Sequence, residues 1–198
     1  QDVKTMIKKA ESERIDKDGS AKLYPDEIIN KYGSDTLRMY EMFLGPIEQS
    51  KPWNTNGIDG VFKFLNKFWN LFNNNNNHLH ISDKKPNKNE YKILHRAIKK
   101  IQDDIERLSL NTCISLLMIT VNELGKINCN KIKILEPLLI LISPFAPHIA
   151  EEMWEKLGNV ELVSKSSWPE FSSDKIDANV IQSEELLRST IEDIANIL

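Results

Sequence analysis

Histidine pairs and isolated histidines are the first places to look for chemistry in this sequence. His78 and His80 are separated by one residue, so both rings could contact one metal ion. The pair lies in an Asn-rich segment without a third ligand beside it, so we do not expect a metal site there. His95 is expected on a helix surface among lysines. His148, directly after Pro147, is expected to cap or pack at a helix start.

Carboxylates and thiols also fail to form a catalytic pattern. Glu151 and Glu152 are adjacent on a predicted helix and point in different directions, so we expect them to interact with the helix dipole. The glycines do not have the spacing of a phosphate-binding loop. Cys113 and Cys129 are expected to be two reduced thiols of a cytoplasmic protein. The sequence therefore favours a chain that binds over one that catalyses.

Positive charge is concentrated in one stretch. Residues 61–101 hold 9 basic and 2 acidic residues, whereas residues 145–198 hold 4 basic and 11 acidic ones, in a chain of net charge −3. A basic stretch inside an acidic protein indicates a face for a polyanion. A solvated lysine-rich surface would give the same pattern.

The basic stretch contains two groups of candidate polyanion contacts. Lys63 and Lys67 lie four residues apart on one predicted helix face, so phosphates could contact both. Asn70 shares that face. Arg96, Lys99 and Lys100 form a second cluster, which we expect to flank the first.

Hydrophobic periodicity predicts the elements that position these residues. The apolar positions of residues 57–72 follow the i, i+3, i+4 rule of a helix. Similar patterns predict helices at about 2–13, 25–32, 57–72, 90–108, 112–124, 131–143, 147–157 and from Ser183, with a further helix capped by Ser34. Residues 73–89 are predicted to be a loop without packing potential, and 160–163 and 167–169 to be extended. The expected core includes Phe64, Trp69, Leu116, Leu139 and Trp154.

These patterns predict an all-α fold, an antiparallel helix bundle preceded by a short helical stem. A length of 198 residues allows one domain with a real core, and 7 glycines and 8 prolines favour long helices. No apolar run approaches the ~20 residues of a membrane span, and charged residues throughout 1–13 do not fit a signal peptide. The absence of an initiator Met leads us to expect a piece of a longer chain.

Two stretches carry a family resemblance. The first is PDEIINKYGSDTLRMYEMFLGPIEQSKPWNTNGIDGVFKFLNKFW, and the second is LEPLLILISPFAPHIAEEMWEKLG followed by SWPEF. They resemble the segment after the signature loop, and the later anticodon-binding helices, of bacterial-type leucyl-tRNA synthetases, which are class I enzymes. The resemblance covers roughly residues 25–171. It implies a stem at 25–53 and an anticodon-binding bundle at 54–171, while 1–24 and the linker and helix at 172–198 depart from the family.

The resemblance also implies a function and a hinge. It implies that the bundle docks leucine tRNA, and that Lys63 and Lys67 match positions where the family often has Arg. Leucylation with ATP and Mg²⁺ would need the catalytic domain as a partner. The expected His-x-Gly-His motif is missing, and DKDGSAKL replaces the signature loop. We therefore expect this chain alone to be non-catalytic and without a cofactor. Lys51, Pro52 and Trp53 would form the hinge between stem and bundle. The alternative is a stand-alone helical protein-interaction module that uses the acidic C-terminal third.

Overall fold

The computed structural model describes residues 25–50, 53, 57–74 and 76–175 of the chain. Within these residues the chain is helical and has no strand, which confirms the predicted all-α class. The predicted helices at 2–13 and from Ser183 lie outside the described residues. The α-helices are α1 (Pro25–Tyr32), α2 (Ser34–Phe43), α3 (Ile58–Phe72), α4 (Lys88–Glu106), α5 (Leu110–Lys126), α6 (Ile132–Ile142) and α7 (Pro147–Lys156), with 3₁₀ turns at Val163–Lys165 and Ser173–Lys175.

Helix α5 lies at the centre of the bundle and packs against α2, α3 and α4. Helices α4 and α5 run antiparallel, because Arg96 pairs with Glu123 whereas Asp104, later in α4, bonds Thr112, earlier in α5. Helices α6 and α7 form a second hairpin that packs against α4 and α2.

Helix α3 runs parallel to α5. Lys67 bonds Asn122, and Leu71, one turn later on α3, lies beside Gly125, also later on α5. The position numbers therefore rise together along the two helices. This alignment places the outward face of α3 next to the outward face of α5.

Apolar side chains at helical spacing form one core. The inward positions of α3 are all buried: Ile58, Val61, Phe64, Leu65, Phe68 and Phe72. Of the predicted core residues, Phe64, Leu139 and Trp154 are buried.

The prediction was wrong for Trp69 and Leu116, which are half-buried. Trp69 lies at the edge of the apolar stripe, and its indole N–H donates to the Asn77 side chain at 2.8 Å. An indole with a polar group to satisfy is well placed at such an edge. Leu116 precedes the fully buried Leu117 and therefore points away from it around α5.

Several local predictions need correction. Ser34 does not cap α2, because Gly33 is the residue before the helix, with φ of 87°, a value that favours glycine. The segment 73–89 packs against the bundle: Pro86 is buried. Asn87 and Glu90 form a reciprocal capping box at the start of α4. Residues 160–163 do not pair as a strand and lead into the 3₁₀ turn Val163–Lys165.

The junction between α2 and α3 depends on close contact of aromatic rings and a glycine. The ring centroids of Tyr40 and Trp53 are 5.0 Å apart in an edge-to-face arrangement. A Cβ at Gly57 would lie 2.5 Å from the Tyr40 hydroxyl oxygen, so only glycine fits before α3 without a shift. Trp53 is half-buried there, and its role as part of a hinge stays a prediction.

Two further findings concern the cysteines and the membrane. Cys113 and Cys129 are both free thiols in the structure and both are buried, and burial raises the pKa of each thiol to about 11. Among the helices of the described residues, none has the length and apolar character needed to cross a membrane.

Candidate nucleic-acid interface

The outward face of α3 carries the first predicted cluster. Lys63, Lys67 and Asn70 are all exposed, since the apolar stripe of the helix turns the opposite side toward the core. The Lys67 ammonium donates to the neutral Asn122 side-chain oxygen at 2.9 Å. Within the part of the chain that the structure describes, neither Lys63 nor Lys67 pairs with a carboxylate. Both positive charges are therefore open to an external anion.

The second predicted cluster is engaged within the protein. Arg96 forms an ion pair with Glu123, and Lys100 forms one with the buried carboxylate of Asp104. The Lys99 ammonium lies 5.8 Å from the centre of the Phe171 ring, within range of a cation–π contact. All three cationic side chains are half-buried. The positive charges of Arg96 and Lys100 are thus largely compensated by carboxylates of the protein, and the Lys99 ammonium is engaged with an aromatic ring.

Helix α5 separates the two clusters. Lys67 reaches Asn122 from α3, and Arg96 reaches the next residue, Glu123, from α4. Adjacent residues of a helix point about 100° apart, so the clusters lie on either side of α5.

Sequence reasoning missed one basic residue of this surface. Lys126 is exposed in the last turn of α5, four residues after Asn122 and therefore on the same side of that helix. It lies outside the basic stretch 61–101 that drew attention to the other lysines. The helical spacing from Asn122 was a usable signal, but only once α5 was known to lie beside α3.

His95 was predicted at the surface, and this prediction was wrong. The side chain is buried, with 8% of the residue exposed, under the segment 168–175. Its Nδ1 accepts the backbone N–H of Ser172 at 3.3 Å, and its ring contacts Phe171 at a centroid distance of 6.3 Å. Burial lowers the pKa of His95, and the nearby charge of Lys175 lowers it further. Sequence spacing along α4 could not reveal a segment that folds back from about 75 residues later.

Helix α2 is hydrogen-bonded to the start of α7. The Asp35 carboxylate accepts the backbone N–H groups of His148 and Ile149 at 3.3 and 2.8 Å. The His148 ring contacts it as well, with Nδ1 2.7 Å from Oδ1. Because an ionised carboxylate only accepts hydrogen bonds, Nδ1 is the donor. The prediction that the His148 side chain caps or packs at the helix start was wrong: the side chain is largely exposed, and the cap comes from Asp35, which accepts the backbone N–H of His148.

The two predicted dipole partners of α7 have other roles. Neither Glu151 nor Glu152 lies in the first turn of the helix, so that prediction was wrong. Glu151 accepts the backbone N–H of Val163 at 2.9 Å, and Glu152 pairs with Lys156 at 2.7 Å. The cap is supplied from α2, which is distant in sequence.

The remaining predicted site residues are placed as follows. Lys51 and Pro52 of the predicted hinge lie outside the described residues, and Trp53 contacts Tyr40 of α2. His78 and His80 are both exposed. Among the described residues, no group of three or more His, Cys, Asp or Glu side chains is arranged to hold a metal ion.

Comparisons with a family model and with individual known proteins agree on one family. Residues 87–198 match the family model described as the anticodon-binding domain of tRNA ligase. The chain is 55% identical over 165 residues to a leucine–tRNA ligase of Cytophaga hutchinsonii, covering 83% of this chain and 18% of that protein. It is 52% identical to one of Bacteroides thetaiotaomicron, covering 79% of this chain and 17% of that protein. It is 43% identical to one of Chlorobaculum parvum, covering 94% and 24%.

A solved structure supports the same assignment. The fold is similar to the agnB2 LeuRS of Agrobacterium radiobacter K84, solved in a ternary complex with tRNA and LeuAMS. The TM-score is 0.67 at 25% identity, covering 79% of this chain and 22% of that one. The chain thus spans less than a quarter of the length of each of these four relatives. It belongs to the anticodon-binding domain family of tRNA ligases and, within that family, resembles the leucine–tRNA ligases.

Proposed function

We propose that this chain binds tRNA through the exposed lysine face of α3, as the stem and anticodon-binding bundle of a leucine–tRNA ligase. The observation that carries the proposal is the pair Lys63 and Lys67, exposed on one face without a carboxylate partner among the described residues. The family assignment and the tRNA complex of the structural relative support it.

The chemistry of this face suits RNA phosphates. Residues four apart on a helix lie about 5–6 Å from each other, so one strand of a phosphate backbone can contact both ammonium groups. Lysine is a point charge without the bidentate fork of arginine, so it favours phosphate contact over base reading. Preference for leucine tRNA would then come from the shape of the RNA. Lys126 is available to extend the same track from α5.

In this proposal, different segments of the ligase have different roles. Residues 25–53 would be the stem and 54–171 the bundle, while leucine, ATP and Mg²⁺ would be handled by a catalytic domain outside this chain. The resemblance of residues 25–69 to the segment that follows the signature loop supports this arrangement.

A filter-binding titration with leucine tRNA and an unrelated tRNA tests the proposal. Replacing Lys63 and Lys67 together by Ala should weaken binding. It should also lower the salt slope by about 0.7–0.9 for each lost phosphate contact. The folded state should lose no more than about 0.5 kcal/mol per site, because both side chains are in solvent.

Two control variants separate the position of charge from its amount. The double variant Lys84→Ala/Lys85→Ala removes the same charge from exposed residues of the loop before α4. Lys165→Ala removes a charge that is already paired with Glu161 at 3.0 Å. Both control variants should bind tRNA more tightly than the variant in which Lys63 and Lys67 are replaced by Ala. Unchanged affinity and salt slope in the α3 variant would contradict the proposal and favour a protein-binding module.

A further inference from the structure

Asp35 and Arg38 join the stem to the bundle across more than a hundred residues of sequence. Asp35 accepts two backbone N–H groups at the start of α7 and the His148 ring N–H. One turn later on α2, the Arg38 guanidinium donates to the carbonyl oxygen of Pro144 from Nη2 at 3.0 Å and from Nε at 3.3 Å. Both sets of contacts fall on the segment 144–149, which comprises the end of the connection between α6 and α7 and the first residues of α7.

We propose that Asp35 and Arg38 are positioning residues that fix the direction in which the stem leaves the RNA-binding bundle. These contacts to residues 144–149 are called the latch below. The functional part of this inference rests on the proposed tRNA binding: an RNA held on α3 can be presented to a catalytic domain only if the stem keeps a fixed angle to α3.

Burial along the stem explains why a latch is needed at this point. Helix α2 is held by the core from its first turn onward, since Thr36, Met39 and Tyr40 are almost fully buried. Helix α1, by contrast, has no buried residue. Between the two lies Gly33 with its positive φ, a point at which the chain changes direction. Helix α1 is therefore oriented through α2, and the latch holds the end of α2 nearest to α1, with Asp35 in the first turn and Arg38 directly after it.

A second contact assists the latch without replacing it. Tyr32, at the end of α1, meets the Phe62 ring of α3 at a centroid distance of 5.7 Å. This edge-to-face pair is partly exposed, with Phe62 at 38%. A single ring pair leaves rotation about its contact open, whereas the latch provides several directional hydrogen bonds. Together they define one orientation of α1.

Distance measurement between spin labels tests the latch directly. Labels at Asn30→Cys on α1 and Glu155→Cys on α7 report the angle between stem and bundle, since both positions are exposed. A reference pair, Asn66→Cys on α3 and Lys133→Cys on α6, reports the bundle alone. The native Cys113 and Cys129 are buried, and their thiol pKa is raised to about 11, so they should label slowly.

With Asp35 and Arg38 intact, each label pair should give a single narrow distance distribution. Asp35→Ala with Arg38→Ala should abolish the narrow α1–α7 peak and leave the reference peak intact. Asp35→Asn keeps one side-chain carbonyl oxygen as acceptor and should retain part of the narrow peak. Glu41→Ala, an exposed change on the same helix, should retain all of it. If the double variant is too unfolded for the distances to be measured, the single variant Arg38→Ala is measured instead and decides the test.

A lower melting temperature with an unchanged narrow α1–α7 peak would overturn the inference, because it would show a role in stability without a role in orientation. The tRNA affinity of the latch variants should stay at the unmodified value, since α3 is not altered. Failure of the Lys63 and Lys67 variants to weaken tRNA binding would refute the proposed function. It would leave the label distances to decide on the latch, so the two failures are distinguishable.

Discussion

Lys100 separates a structural role from an RNA-binding role, because the sequence places it in the predicted RNA-contact cluster and the structure pairs it with Asp104. The Asp104 side chain is 3% exposed, and that of Lys100 is 33% exposed. The second carboxylate oxygen of Asp104 accepts the Thr112 hydroxyl at 2.6 Å. Replacing Lys100 by Ala leaves a buried carboxylate with one neutral hydrogen bond and without its cation.

The cost of this change can be estimated from the burial of the two groups. Removing one partner of a fully buried ion pair costs about 3–5 kcal/mol. Here the ammonium is one-third exposed and Thr112 continues to donate, so we expect about 1–2 kcal/mol for Lys100→Ala. The matched control Lys63→Ala removes an exposed, unpaired lysine and should change stability by no more than about 0.5 kcal/mol.

Urea unfolding followed by circular dichroism measures both variants, and a double-mutant cycle isolates the pair. In the presence of Asp104→Asn, Lys100→Ala should have almost no further effect on stability, so the coupling should be about 1–2 kcal/mol, the full cost of the Lys100 change. In tRNA titrations the order of the two effects should reverse: Lys63→Ala should bind tRNA more weakly than Lys100→Ala does. Equal stability of the two single variants, or a larger loss of tRNA affinity for Lys100→Ala, would refute this division of roles.

Three further predictions concern pH, the core and chemistry. Burial lowers the pKa of His95, so protonation favours the unfolded chain. Stability should be full above about pH 6.5 and fall as the pH is lowered toward the folded-state pKa, and melting curves of His95→Gln should show a flatter pH profile. Leu139→Ala, at a fully buried site, should cost about 2–5 kcal/mol in urea unfolding, whereas Leu116→Ala, at a half-buried one, should cost about 1 kcal/mol. Leucine-dependent pyrophosphate exchange should not exceed the blank, because the chain lacks the motifs that would stabilise charge on a reacting phosphate.

Local patterns in the sequence were sufficient for most of the helices. The apolar spacing of α3 predicted its limits to within one residue, since nearly every inward position contacts the core. Local spacing also predicted which side of α3 faces solvent, and hence the exposure of Lys63 and Lys67. A helix face with one dominant apolar stripe needs no tertiary information to orient it.

Contacts between distant segments were the part that sequence spacing could not supply. His95 looked like a surface residue because its sequence neighbours are basic, yet Phe171 and Ser172 cover it. Asp35 is the acidic residue in the first turn of its own helix, yet its carboxylate caps α7. In both cases the partner lies at least 75 residues away, and the local sequence would read the same without it.

The net positive charge of residues 61–101 led to the proposed RNA-binding face, but charge alone does not define an RNA-binding surface. What matters is the charge left after internal pairing. Arg96 and Lys100 each have a carboxylate partner in the bundle, so binding a phosphate there would compete with an existing ion pair. Lys63 and Lys67 face no such competition among the described residues. An external phosphate bound to α3 therefore gains the full electrostatic attraction of the lysines. On α4 it gains only the difference between its own ion pair with the cation and the existing ion pair with the carboxylate.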